Sequence, residues 1–166
     1  LGEAAGPSQV SPKTIAAAVV AAAVSLVAVS GCGGAEGVQA GATVRAYVVP
    51  PLCAGAEAEL RRENGRAGDV RVEAVCLPSV EAKGQLDLAT VGANARRATE
   101  DSTTVAFLEP PGKADAFAHP ILEAAEVPWI VTSSGKAAMA RLLRAIEEAG
   151  GSGSLRASLQ EELHEP

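Results

Sequence analysis

Residues Thr43–Cys76, TVRAYVVPPLCAGAEAELRRENGRAGDVRVEAVC, decide the fold. Thr43–Val49 (TVRAYVV) is a short apolar run rich in β-branched residues and closed by Pro50-Pro51, which reads as a buried strand. Ala54–Glu63 (AGAEAELRRE) reads as a helix with its charges along one side, and Asn64-Gly65 is a helix stop. Val70–Cys76 (VRVEAVC) alternates Val72, Ala74 and Cys76 on one side and reads as the next strand. Strand, helix, strand in so short a span is a βαβ unit, whose right-handed crossover makes the two strands parallel.

The pattern continues outward from that unit. Pro78–Gly84 reads as a loop, and Leu86–Glu100 as a helix with Leu88, Val91 and Ala95 at helical spacing. Thr103–Leu108 (TTVAFL) is a third strand. Asp115–Ala125 is a short helix that holds or bends at Pro120. Pro128–Thr132 (PWIVT) is a fourth strand. Lys136–Ala149 is an amphipathic helix with Met139, Leu142, Leu143 and Ile146 on one face. Leu155–Leu163, with Ser154 as a cap, is the last helix. The expected fold is α/β: a three-layer sandwich around a four-stranded parallel sheet in the order 2-1-3-4, the first strand lying beside the second.

Composition bounds the function. The chain has 166 residues, 48% hydrophobic and 2% aromatic, with a net charge of −6, so Ala, Val, Leu and Gly must fill one core. The acidic balance argues against a nucleic-acid partner, which needs a basic face to neutralise phosphate.

Upstream of the fold, Lys13 precedes the apolar run Ile15–Val29. A positive start, a short apolar stretch and small residues form a secretory signal, too short and Ala-rich to span a bilayer comfortably. Val29-Ser30-Gly31-Cys32 resembles the bacterial lipobox, in which an aliphatic residue and two small ones precede a cysteine. The resemblance implies that Cys32 is lipidated, that the signal is cut just before it, and that the protein is exported and held to the cell membrane. Residues 1–31 are thus expected to be a signal peptide, residues 32–42 a lipidated cysteine and flexible tether, and residues 43–166 the α/β lobe. Leu1–Gln9 fits no part of a signal peptide; Val10 is the expected start of translation, with Leu1–Gln9 untranslated.

With Cys32 acylated, Cys53 and Cys76 remain. An even remainder in an oxidising compartment suggests one disulfide, two buried free thiols being the alternative. The ends of adjacent parallel strands lie about 5 Å apart, which suits the bond.

Residues 94–101 (NARRATED), 104–108 (TVAFL), 120–130 (PILEAAEVPWI) and 137–150 (AAMARLLRAIEEAG) together are similar to the leucine-binding protein family, the type I periplasmic solute-binding lipoproteins of branched-chain amino-acid ABC transporters. That family also has an early disulfide. The resemblance covers nearly all of the mature chain in two pieces, as a first lobe with the second lobe missing. It implies one lobe of a type I periplasmic-binding fold, an amino-acid transport role with a small amino acid of the Leu/Ile/Val class as ligand, and an ABC permease or another envelope protein as partner. In the family, hydroxyls and amides after the third and fourth strands hold the ligand. Thr132-Ser133-Ser134 matches the second of these positions; the alternative role is an N-cap for the helix that follows. Glu109-Pro110-Pro111 departs from the first, since proline lacks an amide donor. Glu109 either pairs with a ligand ammonium or is a solvated loop carboxylate.

Catalytic signatures are weak. Ser133–Lys136 (SSGK) ends like a P-loop, but Ile130 stands where the first glycine belongs and Ala137 where Ser or Thr belongs. His119 and His164 have no ligand spacing around them, and His119 reads as a surface or helix-start residue. Trp129 reads as strand packing. No enzyme activity, metal or cofactor is expected. The leading expectation is a one-lobe, weakly binding amino-acid receptor; the alternative is a structural or protein-interaction module of the cell envelope. An apolar surface at the carboxyl ends of the strands would favour the module, and a polar concavity centred on Ser133 the receptor.

Overall fold

A computed structural model describes Gly2, residues 42–150 and residues 154–164. The described residues from Ala42 onward belong to one compact unit spanning Gly33–Pro166. The expected signal segment, Cys32 and the expected tether up to residue 41 lie outside the described residues, apart from Gly2. Among the described residues no helix is long and apolar enough to cross a membrane.

The opening unit forms β1 (Thr43–Val48), α1 (Cys53–Arg62) and β3 (Val70–Cys76), and β1 and β3 pair in parallel from Thr43↔Arg71 to Val48↔Cys76. Between α1 and β3 the chain turns back through Gly68, at φ +55°, a left-handed conformation that glycine adopts without a Cβ penalty. The turn creates β2 (Arg66–Ala67), antiparallel to the start of β3. Next come the short hairpin β4 (Glu81–Ala82) and β5 (Gln85–Leu86), then α2 (Leu88–Glu100), β6 (Thr104–Glu109), α3 (Asp115–Ala124), β7 (Trp129–Val131), α4 (Gly135–Ala149) and α5 (Leu155–His164). Pro120 lies inside α3.

The four-stranded, wholly parallel sheet expected from the sequence is corrected by this structure. The sheet has five strands in the order β2-β3-β1-β6-β7 and is mixed, because β2 adds an antiparallel strand outside β3. Two residues between a helix stop and a glycine turn carry no periodicity, so nothing in the pattern announces them. The β1–β3, β1–β6 and β6–β7 pairs are parallel. The expected loop at 78–84 contains β4, and the helix expected from Leu86 begins at Leu88, where Asp87 accepts from the amides of Ala89 and Thr90 at 3.0 and 3.3 Å.

Strand alternation sends side chains to both faces of the sheet. On one face Val44, Ala46, Val48, Ala106 and Leu108 pack with Ala56 of α1, Met139, Leu142 and Ile146 of α4, and Leu155 and Leu159 of α5. On the other, Tyr47 and Phe107 pack with Val91, Ala95 and Ala98 of α2 and Ala118 and Leu122 of α3. Small side chains let α1 and α4 press together. A Cβ at Gly55 would stand 2.9 Å from the Lys136 amide nitrogen, and one at Gly135 would overlap the Leu52 carbonyl. Cys53 and Cys76 form a disulfide with their Cα atoms 5.7 Å apart, tying the start of α1 to the end of β3. A cross-link closing a loop of this size contributes roughly 3 kcal/mol.

At the amino end of the sheet, Asp101 locks the turn between α2 and β6. It accepts from the Thr103 amide and hydroxyl at 2.9 and 2.6 Å, the Tyr47 hydroxyl at 2.8 Å and Arg45 at 3.1 Å. Partial burial alone would raise its pKa; these donors outweigh it and hold the carboxyl well below the usual range.

Candidate functional site

In an open α/β sheet the strands' carboxyl ends and the amino ends of the following helices meet at one end of the molecule, where ligands bind. Here that end carries the segments after β1, β3, β6 and β7, and with them Glu109, Thr132, Ser133 and Ser134.

Glu109 is not the solvated loop carboxylate that the diproline after it suggested. It is the last residue of β6 and only 2% exposed. Its carboxylate lies 2.6 Å from Nε2 of His119 in α3, whose imidazole stacks on Trp129 with ring centroids 4.6 Å apart. The group thus joins β6, α3 and β7. Burial pushes the Glu109 carboxyl up, the His119 contact opposes that rise, and the neighbouring Asp115 adds to it. The partnership escaped the sequence reading, which placed His119 on the surface or at a helix start. The one available signal was the spacing of His119 one residue after Ala118 and three before Leu122, both buried.

The hydroxyls after β7 have work inside the fold. The Thr132 amide donates to the Glu109 carbonyl at 3.0 Å, continuing the β6–β7 pairing. The Thr132 hydroxyl oxygen accepts from the Ser134 amide at 3.3 Å. The Ser134 hydroxyl accepts from the Ala137 amide at 3.2 Å, the N-cap of α4. Ser133 is exposed, and its hydroxyl makes no hydrogen bond among the described residues.

What this end presents outward includes large apolar side chains and lysines, together with the exposed Glu81 of β4. Among the described residues the exposed large hydrophobic side chains are Leu88 (49%), Phe117 (48%) and Val131 (39%). Leu88 opens α2, Phe117 is in the first turn of α3, and Val131 ends β7. Val131 follows Trp129 by two residues, so it stands on the face that α2 and α3 cover. The lysines of the described residues, Lys83, Lys113 and Lys136, are all exposed on segments at this same end, with no ion pair among the described residues. Asp87 and Asp115 are turned to backbone amides, Asp115 accepting from Gly112 at 3.3 Å.

Among the described residues no group of His, Cys, Asp and Glu is placed to hold a metal ion. The carboxylate of this 2.6 Å carboxylate–imidazole pair is buried, and the imidazole, 26% exposed, stacks on Trp129. The arrangement clamps secondary structure elements together. No protein-family model, no curated protein and no solved structure matches this chain.

Proposed function

We propose that the chain is an exported lipoprotein, anchored through Cys32, whose α/β lobe works as a protein-interaction module of the cell envelope. The lobe docks its partner at the carboxyl end of the sheet. One observation carries this reading: the large apolar side chains left exposed among the described residues, Leu88, Phe117 and Val131, all lie at that end. Exposed apolar groups gathered at one end of a small domain mark contact surfaces. The exposed lysines beside them complement an acidic partner surface.

The reading as an amino-acid receptor of the leucine-binding type rests on the sequence resemblance, the single lobe of type I architecture that it implies, and the exposed Ser133 at the start of α4. Against it, Glu109, Thr132 and Ser134 are engaged by His119, Ser134 and Ala137.

Thermal unfolding of the full chain, disulfide intact, with Leu, Ile or Val at millimolar concentration separates the two. The module reading expects no change in Tm. A saturable rise that Ser133→Ala removes would return the assignment to an amino-acid receptor. The anchor is read independently by fatty-acid labelling of the chain in cells, which Cys32→Ala abolishes if the lipobox is used.

A further inference from the structure

We propose that the outer edge of β3 is a binding site for an extended polypeptide segment, which adds as a further strand beside Ala74 and Cys76. The site runs along the side of the sheet to the end of β3, uses none of Leu88, Phe117 and Val131, and stands whether or not the reading above does.

The backbone makes the case first. In a parallel strand the N–H and C=O of one residue point the same way, and successive residues alternate. The Arg71 amide donates to the Ala42 carbonyl and the Leu77 amide to the Val48 carbonyl, both at 2.9 Å, so Arg71, Glu73, Val75 and Leu77 face β1. Val72, Ala74 and Cys76 face outward. The Val72 amide is taken by the Gly65 carbonyl at 2.9 Å, and β2 reaches no further than Val70 and Arg71. From Ala74 onward no strand or turn among the described residues pairs with the outward groups. These donors and acceptors have the spacing of a β-ladder, and an extended backbone is the chemistry that satisfies them in series.

Side chains then select the occupant. A groove of about 360 Å³ runs beside this edge, lined by Glu57, Leu60, Arg61, Asn64, Gly65 and Ala74. Alternate side chains of an added strand fall over the α1 face and into that groove, where Leu60 and Ala74 are only partly buried. On the opposite face Arg45 occupies Glu73 at 3.3 Å, whereas exposed Arg71 has no ion pair among the described residues. The fitting segment therefore alternates: apolar side chains toward α1, and a carboxylate on the other face within reach of Arg71.

The test is a titration of the ¹⁵N-labelled full chain with the acetylated, amidated peptide Glu-Val-Thr-Val-Glu-Thr, read by amide shifts and hydrogen exchange. The site predicts saturable shifts centred on residues 72–76 and slower exchange at the Ala74 and Cys76 amides. Ala74→Pro removes an outward N–H and no bond to β1, and it should abolish the shifts. Should that variant fail to fold, Arg71→Glu, an exposed change, decides the matter. It should weaken binding about two- to fivefold and favour the same peptide with Lys in place of Glu. Absence of shifts at 72–76, or binding that neither variant alters, overturns the proposal. So does concentration-dependent dimerisation through β3 without peptide binding, which would give the edge to a second copy.

Discussion

Glu109 shows how one residue's role is settled by neighbours distant in sequence. Its carboxyl is raised by burial and opposed by His119, so the folded state holds the proton more tightly than the unfolded chain does. The consequence for stability has a definite sign. Below the unfolded carboxyl pKa of about 4.3 the group adds no pH dependence. As pH rises from there through the raised folded value, stability is lost, because the folded state binds more protons in that window. Glu109→Gln removes that titration. Urea melts of the two proteins between pH 4 and pH 7 should show the variant gaining on the wild type as pH rises; a difference that is constant, or moves the other way, would contradict the assignment. The sequence could not show this. Pro110-Pro111 announces a loop correctly, but β6 runs one residue closer to it than the apolar run Thr103–Leu108 suggests, and burial comes from α3 folding back over the strand end. By contrast, the pairing of Cys53 with Cys76 was legible, since it needs only that two strand ends be adjacent.

At the scale of elements, long periodic segments were readable and short ones were not. α4 has an apolar stripe of Met139, Leu142, Leu143 and Ile146, a side-chain cap at Ser134 and a left-handed Gly150 beyond its end, and every one of these signals is local. β2, β4 and β5 are two residues each and exist through turns, with Gly68 and Gly84 at positive φ; no period of two can be seen in two residues. The close contact of α1 with α4 was equally hidden, because a glycine at a helix start reads as a loop residue. Gly135 nevertheless sits against the Leu52 carbonyl, and no side chain at 135 fits without moving backbone. Gly135→Ala should therefore destabilise by about 3 kcal/mol or more, whereas Gly112→Ala, with open space around it, should change little. Denaturant melts of both variants check this, and a near-neutral Gly135→Ala would refute the packing described for the α1–α4 contact.

The whole molecule is acidic, and its lysines lie apart from several of its arginines. Arg45, Arg61, Arg62, Arg96 and Arg97 lie toward the amino end of the sheet, at the start of β1 or the ends of α1 and α2, while Lys83, Lys113 and Lys136 lie at the carboxyl end with Leu88, Phe117 and Val131. The alternation of strands and helices was enough to tell which segments share that end. Which side chains stay exposed there was not legible, because Leu88 belongs to a helical apolar stripe and Val131 to an apolar strand, and only the packed structure leaves them outside. The central claim is that this end is covered by a protein partner in the cell envelope. The most direct measurement is in-cell photo-crosslinking from a benzoylphenylalanine replacing Phe117, with Leu88 and Val131 as second and third positions and exposed Arg97, at the other end of α2, as control. The account predicts one discrete cross-linked species shared by the first three positions and absent from Arg97; equal labelling at all four, or none at any, would contradict it.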